Sequence, residues 1–304
     1  MSGANEQNGG LCGIIPVMKP RDWTSFDVVA KLRGILHTKR IGHGGTLDPM
    51  ATGVLPVFVG KAATCCDILP DKRKSYTAGF RLGEKTDTLD ITGNILSRSE
   101  KPIAEAEITA LLPEFTGDIM QLPPMYSAIK VNGKKLCDLA RSGKEVERKP
   151  RPAHIERLEL AAYDETTREG VLRIDCGQGT YVRTIIDDIG ERLGTGGVMT
   201  SLTRTLSGGF SLAECFTLER IAECSRGGRL TELLLPTDSA FRVYPETRLG
   251  EHETRLYKNG VRLRPEQVKL PHEADTFRVY GADGEFLGLG GMKNGEFACI
   301  KNFY

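Results

Sequence analysis

The segment that most restricts the fold is rich in glycine, GHGGTLDPMATG at residues 42–53, and stands directly before an apolar run at 54–59. Four glycines in twelve residues allow the backbone to approach another molecule closely. The apolar run VLPVFV has the length and the β-branched content of a buried strand. Upstream, Thr24 and Ser25 precede an amphipathic pattern that predicts a capped helix over 25–36. We therefore expect a helix, an irregular loop that carries Asp48, and a buried strand.

Several known loop types do not match this segment. A phosphate-binding P-loop needs GxxxxGK[ST], but Leu55 stands in place of its first glycine and Ala62 in place of its hydroxyl residue. A dinucleotide-binding loop needs GxGxxG, and Leu47 occupies the position of its third glycine. An aspartyl-phosphate enzyme would use Asp48, although no second carboxylate lies two residues further on. Taken alone, Asp48 before a proline is most simply a turn-forming residue.

Composition narrows the class of protein. A chain of 304 residues, 39% hydrophobic and 27% charged, fits two globular domains or one large domain with an appendage. No run approaches the roughly 18 consecutive apolar residues of a membrane helix. Residues 1–10 lack the features of a signal peptide and predict a disordered lead-in. The eight cysteines are scattered without a CxxC pair, and the five histidines lack metal-ligand spacing. We therefore expect reduced thiols, no metal and a cytoplasmic location.

The element pattern predicts an α+β fold, because helices and strands are interspersed without regular βαβ alternation. Strands are predicted at 75–82, 153–163, 170–176 and 198–206, and helices at 103–112, 134–141, 181–193, 218–224 and 230–235. From about residue 247, short strand patterns and Gly-containing turns predict a small all-β module. We therefore divide the chain into a main domain, 11–246, and a C-terminal domain, 247–304. An extended, mobile insertion is expected at about 120–150.

The charge distribution says more than the net charge of +1, which does not indicate a nucleic-acid-binding protein. From Lys130 to Arg157, nine basic residues stand against four acidic ones. Most such runs are solvated surface. The alternative is a strip that follows the phosphates of a nucleic acid.

Further segments decide between these possibilities when they are taken together with the loop. They are MKP at 18–20, WTSFDVV at 23–29, KSY at 74–76, RLG at 81–83, TDTLD at 86–90, QLPPMYSAIK at 121–130, GTYVRT at 179–184 and LTR at 202–204. With GHGGTLDPMATGVLPV, they closely resemble the bacterial tRNA pseudouridine-55 synthases of the TruB family. The resemblance extends from about residue 11 to residue 210. It implies a pseudouridine synthase fold, with a mixed, largely antiparallel central sheet flanked by helices and a C-terminal PUA-like domain.

The resemblance also implies a reaction and its catalytic residues. Enzymes of this family break the N1–C1′ bond of a uridine in the tRNA T-loop, rotate the base and rejoin it through C5, without a cofactor. The matching catalytic aspartate is Asp48, which acts as a nucleophile or assists elimination to a glycal; the sequence leaves both routes open. Tyr76 matches the tyrosine that stacks on the target base. Arg183 matches the arginine that pairs with the aspartate and keeps it ionised.

The remaining carried-over residues concern RNA binding. His43 matches the histidine that takes the place of the flipped base. Lys19 and Lys130, with the 130–157 strip, are expected to contact RNA phosphates. Tyr181 is expected to bind the substrate or, alternatively, to pack against the catalytic loop. Leu202 and Arg204 match a strand edge that forms a wall of the pocket. The expected partner is the T-arm stem-loop of tRNA, bound by a monomer without guide RNA, metal or membrane.

Two other functions stay open at this point. One is a guide-RNA-dependent, dyskerin-like subunit, and the other is an RNA-binding or tRNA-folding protein. The sequence also departs from the family pattern, which usually has Thr at the position of Gly44, Asp at that of Met18 and often Tyr at that of Cys137. Gly44 is expected to make the catalytic loop more flexible.

Overall fold

The computed structural model describes residues 6–7, 10–131 and 133–304. The chain divides into two compact units. The first comprises Met1–Pro49, Val54–Asp71 and Gly208–Tyr304, and the second comprises Met50–Gly53 and Lys72–Ser207. Of the predicted disordered lead-in at 1–10, residues 1–5 and 8–9 lie outside the described residues.

The strands and helices of the described residues have the following bounds. The strands are β1 (Glu6–Gln7), β2 (Gly10–Leu11), β3 (Gly13–Lys19), β4 (Ile41–His43), β5 (Thr52–Val59), β6 (Lys74–Leu82), β7 (Glu84–Thr86), β8 (Ile95–Arg98), β9 (Gly117–Gln121), β10 (Lys130–Val131), β11 (Lys134–Lys135), β12 (Arg151–Asp164), β13 (Glu169–Cys176), β14 (Gly197–Ser207), β15 (Phe210–Ser211), β16 (Glu246–Arg248), β17 (Phe277–Tyr280), β18 (Phe286–Lys293) and β19 (Glu296–Asn302). The α-helices are α1 (Ser25–Ile35), α2 (Glu105–Leu111), α3 (Leu136–Arg141), α4 (Val182–Leu193), α5 (Leu218–Arg226) and α6 (Glu251–Lys258).

The second unit is built on a sheet in the order β14-β6-β13-β12-β9, in which every neighbouring pair is antiparallel. Thr52 and Gly53, the first residues of β5, add a parallel pairing to β14. The sheet is therefore mixed and largely antiparallel, as predicted. Helix α4 contacts β14 and presents a row of buried isoleucines, which accounts for its apolar stripe. Gly194, with φ +75°, ends this helix where the sequence predicts its end.

The first unit holds the glycine-rich loop between two strands and a helix. Strand β3 lies beside β5, and β4 pairs with β5 in antiparallel register, with His43 opposite Val57. Helix α1 begins with a capping box, which confirms the predicted cap. The Thr24 hydroxyl accepts from the Asp27 amide at 3.0 Å, and the Asp27 carboxylate accepts from the Thr24 amide at 2.8 Å. Residues of β3, α1 and β5 form one apolar core, in which Leu32 and Leu55 are fully buried.

The C-terminal residues form a four-stranded sheet in the order β16-β17-β18-β19, with a core of their own around Tyr257 and Phe297. The sequence predicted this sheet but not helix α6, which precedes β17. Gly250 is the N-cap residue of α6. The acidic first turn and the basic last turn of this helix complement its dipole. The boundary at 246/247 and the insertion at 120–150 stay predictions. None of the described helices is long and apolar enough to cross a membrane.

Candidate active site

The backbone on both sides of Asp48 is held by hydrogen bonds within the first unit. The Gly44 amide donates to the Pro56 carbonyl at 2.9 Å, which fixes the start of the loop to β5. The Leu47 amide donates to the Ser25 hydroxyl at 2.8 Å, and that hydroxyl donates to the Leu47 carbonyl at 3.3 Å. Ser25 is the first residue of α1 and is buried. The N-terminus of α1 thus positions Leu47, the residue before Asp48. Asp48 itself is half-buried.

Lys19 holds the other side of the loop. Its side chain is fully buried, and its ammonium donates to the carbonyls of Pro20 at 2.8 Å, Trp23 at 2.5 Å and Pro49 at 3.0 Å. The Pro49 carbonyl also accepts from the amide of Asp22 at 2.8 Å. The predicted contact between Lys19 and an RNA phosphate does not fit this environment, because the charge is directed at three carbonyls inside the protein. We correct that prediction: Lys19 anchors the peptide that follows Asp48.

Gly44 lies in a confined position rather than a loose one. A Cβ atom there would be 3.2 Å from both Leu69 Cδ1 and Phe58 Cε2, closer than ordinary van der Waals contact. The neighbouring His43 is half-buried at the end of β4. A side chain at position 44 would therefore require these two neighbours to shift by a few tenths of an ångström, and the expected flexibility of Gly44 stays a prediction. The role of His43 toward a flipped base stays a prediction.

In the second unit, Tyr76 lies in the middle of the sheet. It is buried and pairs with Ile174 on β13 and with Arg204 on β14, so these three side chains share one face. Leu202, also on β14, is buried opposite Ala78. Arg204 is fully buried beside Tyr76, and its expected place in the wall of the pocket stays a prediction.

Lys74, the first residue of the KSY segment at 74–76, is a charged neighbour of this face to which the sequence analysis assigned no separate role. It lies two residues before Tyr76 on β6 and therefore on the same side of the strand. Burial, followed by the charge of Arg204, lowers the pKa of Lys74 to about 8. Its ammonium is consequently easier to neutralise than that of an ordinary surface lysine.

Arg183 is held in a polar network at the start of α4. Its guanidinium donates to the carbonyls of Thr88 at 3.0 Å and Tyr126 at 2.9 Å, and lies 3.9 Å from the Asp90 carboxylate. Asp90 is buried and accepts from the Thr88 hydroxyl at 2.8 Å and from the amide and hydroxyl of Thr92. Asp90 is a functional candidate that sequence reasoning missed. The TDTLD segment contains it, but no pattern in that segment indicates its pairing with an arginine about ninety residues later.

The last two predicted residues, Tyr181 and Lys130, lie in different surroundings. The amide of Tyr181 donates to Gln121 Oε1 at 2.9 Å, and Gln121 Nε2 donates back to the Tyr181 carbonyl at 3.2 Å. This reciprocal pair fixes the start of α4 to the end of β9, and the Tyr181 side chain is half-buried. Lys130 is exposed on β10, in a separate hairpin with β11. It is accessible to a phosphate, which agrees with the predicted role without testing it.

The structure thus brings the predicted residues into two groups. Within the first unit, Lys19, His43 and Asp48 belong to one loop and its anchors. Within the second unit, Tyr76, Leu202 and Arg204 lie on adjacent strands, while Tyr181 and Arg183 begin α4. In the described part of the chain, no group of three or more His, Cys, Asp or Glu side chains is arranged to hold a metal ion.

Comparison with known families finds two matching models. The model of the TruB family pseudouridylate synthase N-terminal domain matches residues 33–182. The model of the tRNA pseudouridylate synthase B C-terminal domain matches residues 183–242. Together the two matches include every predicted site residue except Lys19.

Individual proteins are similar over nearly the whole chain. A tRNA pseudouridine synthase B of Clostridium acetobutylicum is 40% identical over 291 residues, which cover 95% of this chain and 98% of that protein. One of Pseudomonas fluorescens is 42% identical over 284 residues, covering 92% and 91% respectively.

Among solved structures, a chain of a Cbf5-Nop10-Gar1 complex has a TM-score of 0.73 at 25% identity, covering 96% of this chain and 85% of the other. A chain of an H/ACA RNP bound to a substrate RNA that contains 2′-deoxyuridine has the same TM-score and coverage at 23% identity. The second likeness concerns the fold alone.

Proposed function

Because the chain belongs to the TruB family of pseudouridylate synthases, we propose that it converts uridine 55 in the T-loop of tRNA into pseudouridine. The observation that carries this proposal is the full-length match. A relative named tRNA pseudouridine synthase B is 40% identical, and the match covers 95% of this chain and 98% of the relative. A pseudouridine synthase is an isomerase, so substrate and product have the same atomic composition and no net oxidation takes place.

The reaction exchanges one bond of the uridine for another. The N1–C1′ bond breaks, the base rotates, and C5 bonds to C1′; C5 then loses its hydrogen and N1 gains one. We assign the initiating step to the Asp48 carboxylate, as a nucleophile or as the base for elimination to a glycal. The anchors at Lys19 and Ser25 support this assignment, because they fix the backbone on both sides of the carboxylate. A fixed position reduces the entropy that the reaction would otherwise lose.

Arg183 and Tyr76 supply the surroundings of the reacting base in this proposal. A guanidinium favours the ionised form of a carboxylate, which a nucleophile requires. Arg183 is suited to this role because two carbonyls and Asp90 restrict its orientation. Tyr76 presents a flat aromatic ring for stacking on the uracil, and its strand is paired on both sides.

Access to the base requires that it leave the stacked T-loop, at a cost of a few kcal/mol. We propose that His43 fills the space that the base leaves. Leu202 would form part of the pocket wall, Tyr181 would lie beside the bound nucleotide, and Lys130 would contact a phosphate. The 130–157 strip offers further exposed cations at Lys144 and Lys149.

We also propose that the protein acts as a monomer and without guide RNA. The relatives at about 40% identity carry the name of a tRNA-modifying enzyme, whereas the H/ACA structure is similar at only 23% identity. A guide-dependent subunit would bind tRNA without modifying it alone. A tRNA-folding protein would keep its function without the Asp48 carboxylate.

The test is tritium release from an unmodified tRNA transcript labelled at uridine C5, with purified protein and no added RNA or protein. Wild type should release tritium from the T-loop, and Asp48→Asn should release none while still binding tRNA. Asp67→Asn, at an exposed aspartate outside the loop, is the matched control and should keep full activity. Tight tRNA binding without release by wild type would contradict the proposal and favour a guide-dependent or binding function.

A further inference from the structure

Lys74, the first residue of β6, is a half-buried cation. Within the residues that the structure describes, its ammonium takes part in no hydrogen bond and no ion pair. The buried ammonium of Lys19, by comparison, donates to three carbonyls, and that of Lys85 lies 2.7 Å from Glu191. Because a cation that has lost much of its water is nearly always paired, we expect Lys74 to have a partner from outside the protein.

The surroundings of Lys74 are neutral or positive. Its neighbours in the sheet are Cys176 on β13 and Ser207 on β14, and both are buried. Burial raises the pKa of the Cys176 thiol to about 11, so this thiol is uncharged at neutral pH. Arg204, on the same strand as Ser207, adds a second positive charge that opposes the ionisation of Lys74. Two positive charges with a neutral thiol and a hydroxyl beside them favour an anion.

The free protein bears a cost for this arrangement. Burial, and then the charge of Arg204, destabilise the ammonium of Lys74, and an anion in contact with it would reverse both effects. Arg204 is fully buried, whereas Lys74 is only half-buried, so Lys74 is the member of the pair that solvent and a ligand reach. The expected ligand is therefore an anion that approaches Lys74 from the solvent.

The position of Lys74 indicates which anion this is. Lys74 lies two residues before Tyr76 on β6, so the two side chains leave the strand on the same face. With a rise of about 3.3 Å per residue, their positions on the strand are about 7 Å apart. A uracil stacked on the Tyr76 ring would bring its own ribose and phosphates within the span of one nucleotide from this ring.

We propose that Lys74 binds a backbone phosphate directly attached to the uridine that reacts. The proposal rests on the proposed function, because it assumes an RNA substrate whose base lies on Tyr76. A phosphate carries a full negative charge and oxygens that accept hydrogen bonds from an ammonium. The contact is screened less by water and salt than one made by the exposed Lys144 or Lys149, because Lys74 is half-buried. Lys74 would thus hold the reacting nucleotide itself, whereas the 130–157 strip would hold the rest of the RNA.

The contact predicts a pH dependence of binding. A phosphate favours the ammonium, so RNA keeps Lys74 protonated, whereas the free protein loses this proton with a pKa of about 8. Arg204 and Cys176, the charged and titratable groups that affect Lys74 from β14 and β13, keep their charge states in this range. The affinity for RNA should therefore fall by about fivefold between about pH 7.5 and pH 9, and Lys74→Met should lack this fall.

The decisive experiment removes the charge from one partner at a time. A T-arm stem-loop RNA is prepared unmodified, or with a single methylphosphonate at the phosphate on the 5′ or the 3′ side of the target uridine. For wild type, one of the two neutral linkages should raise KM for tritium release by about tenfold. Lys74→Met should raise KM for the unmodified RNA by a similar factor and show no further loss with that linkage, while kcat changes by less than about threefold.

Two further variants serve as controls. Lys74→Arg keeps the charge and should keep the response to the neutral linkage. Lys31→Met, at an exposed lysine on α1, should leave both KM and this response unchanged. Thermal melting checks that each variant is folded, and Lys74→Arg against wild type decides the matter if Lys74→Met unfolds, because loss of the response in Lys74→Arg would then contradict the contact.

An equal response of wild type and Lys74→Met to both neutral linkages would overturn the proposal. So would a lower kcat at unchanged KM, which would assign the ammonium to charge on the uracil instead. RNA binding, measured by fluorescence anisotropy on the same samples, separates the two proposals. Normal tritium release without a Lys74-dependent response contradicts the phosphate contact alone, and a Lys74-dependent response in binding without tritium release contradicts the proposed function alone.

Discussion

Replacement of Lys19 by methionine should destabilise the protein and impair catalysis together. Methionine keeps the apolar stem of the buried side chain but removes the ammonium that donates to three carbonyls. The Pro49 carbonyl retains the amide of Asp22 at 2.8 Å, whereas those of Pro20 and Trp23 lose the donor that the structure provides. Each of these two carbonyls, left without a donor, lowers the free energy of unfolding by about 1–3 kcal/mol, and removal of the buried charge offsets part of this loss. We expect the free energy of unfolding to fall by about 2–4 kcal/mol.

This loss of stability should be measured by urea unfolding, where it corresponds to a midpoint lower by about 0.5–1 M. Activity should be measured at a temperature at which the variant is folded. Because the Pro49 carbonyl belongs to the peptide after Asp48, a displaced loop should lower kcat for tritium release by about 10- to 100-fold.

The control for Lys19→Met is Lys31→Met, which changes an exposed lysine on α1 and should alter stability by less than about 0.5 kcal/mol. A Lys19→Met protein that unfolds at the wild-type urea concentration would refute the assigned anchoring. So would a variant that is destabilised but retains wild-type kcat, because the link to the catalytic loop would then be absent.

Three further perturbations test other parts of the structure. Asp90→Asn removes the negative charge that lies 3.9 Å from the Arg183 guanidinium. This variant should lower kcat by about tenfold or more, while tRNA affinity changes little. An unchanged kcat would exclude Asp90 from positioning Arg183. Gly53→Ala places a Cβ 2.2 Å from the Arg204 carbonyl at φ +104°, and should cost about 3 kcal/mol or more, or prevent soluble expression; a wild-type melting temperature would contradict this close approach. Folding holds the pKa of Lys74 at about 8, below its ordinary 10.5, so the ionised group opposes folding below pH 8 and this cost disappears as the pH rises toward 10.5. Lys74→Met should therefore be about 1–3 kcal/mol more stable at pH 7 and lack the wild-type gain between pH 8 and 10.5, which thermal unfolding across that range would detect.

Local patterns predict the elements that depend on local interactions. The helix predicted at 181–193 is observed as Val182–Leu193. Both signals for it, the apolar stripe and the terminal glycine, depend only on residues close together in the sequence. The strand predicted at 75–82 is observed as Lys74–Leu82. The predicted helix at 134–141 begins only at Leu136, because Lys134 and Lys135 pair with β10 instead. Strand pairing with a partner a few residues away overrides a weak helical pattern.

Interactions between distant residues are what the sequence could not reveal. The burial of Lys19 depends on a carbonyl thirty residues later, and the pairing of Asp90 depends on Arg183. From the sequence alone, Lys19 beside Pro20 would be interpreted as a surface cation, because its three carbonyl acceptors cannot be identified. The roles of Asp48, Tyr76 and Arg183 came from resemblance to a family, because an aspartate before a proline would by itself indicate only a turn.

The confined space around Gly44 has an evolutionary consequence. A Cβ at this position would lie 3.2 Å from both Leu69 and Phe58, so these two side chains must shift by a few tenths of an ångström. In relatives with threonine at the position of Gly44, we therefore expect smaller or differently branched residues at the positions of Leu69 or Phe58. The three positions should covary as a set, and a chimera that receives the threonine alone should fold less well than one that receives the matching neighbours too.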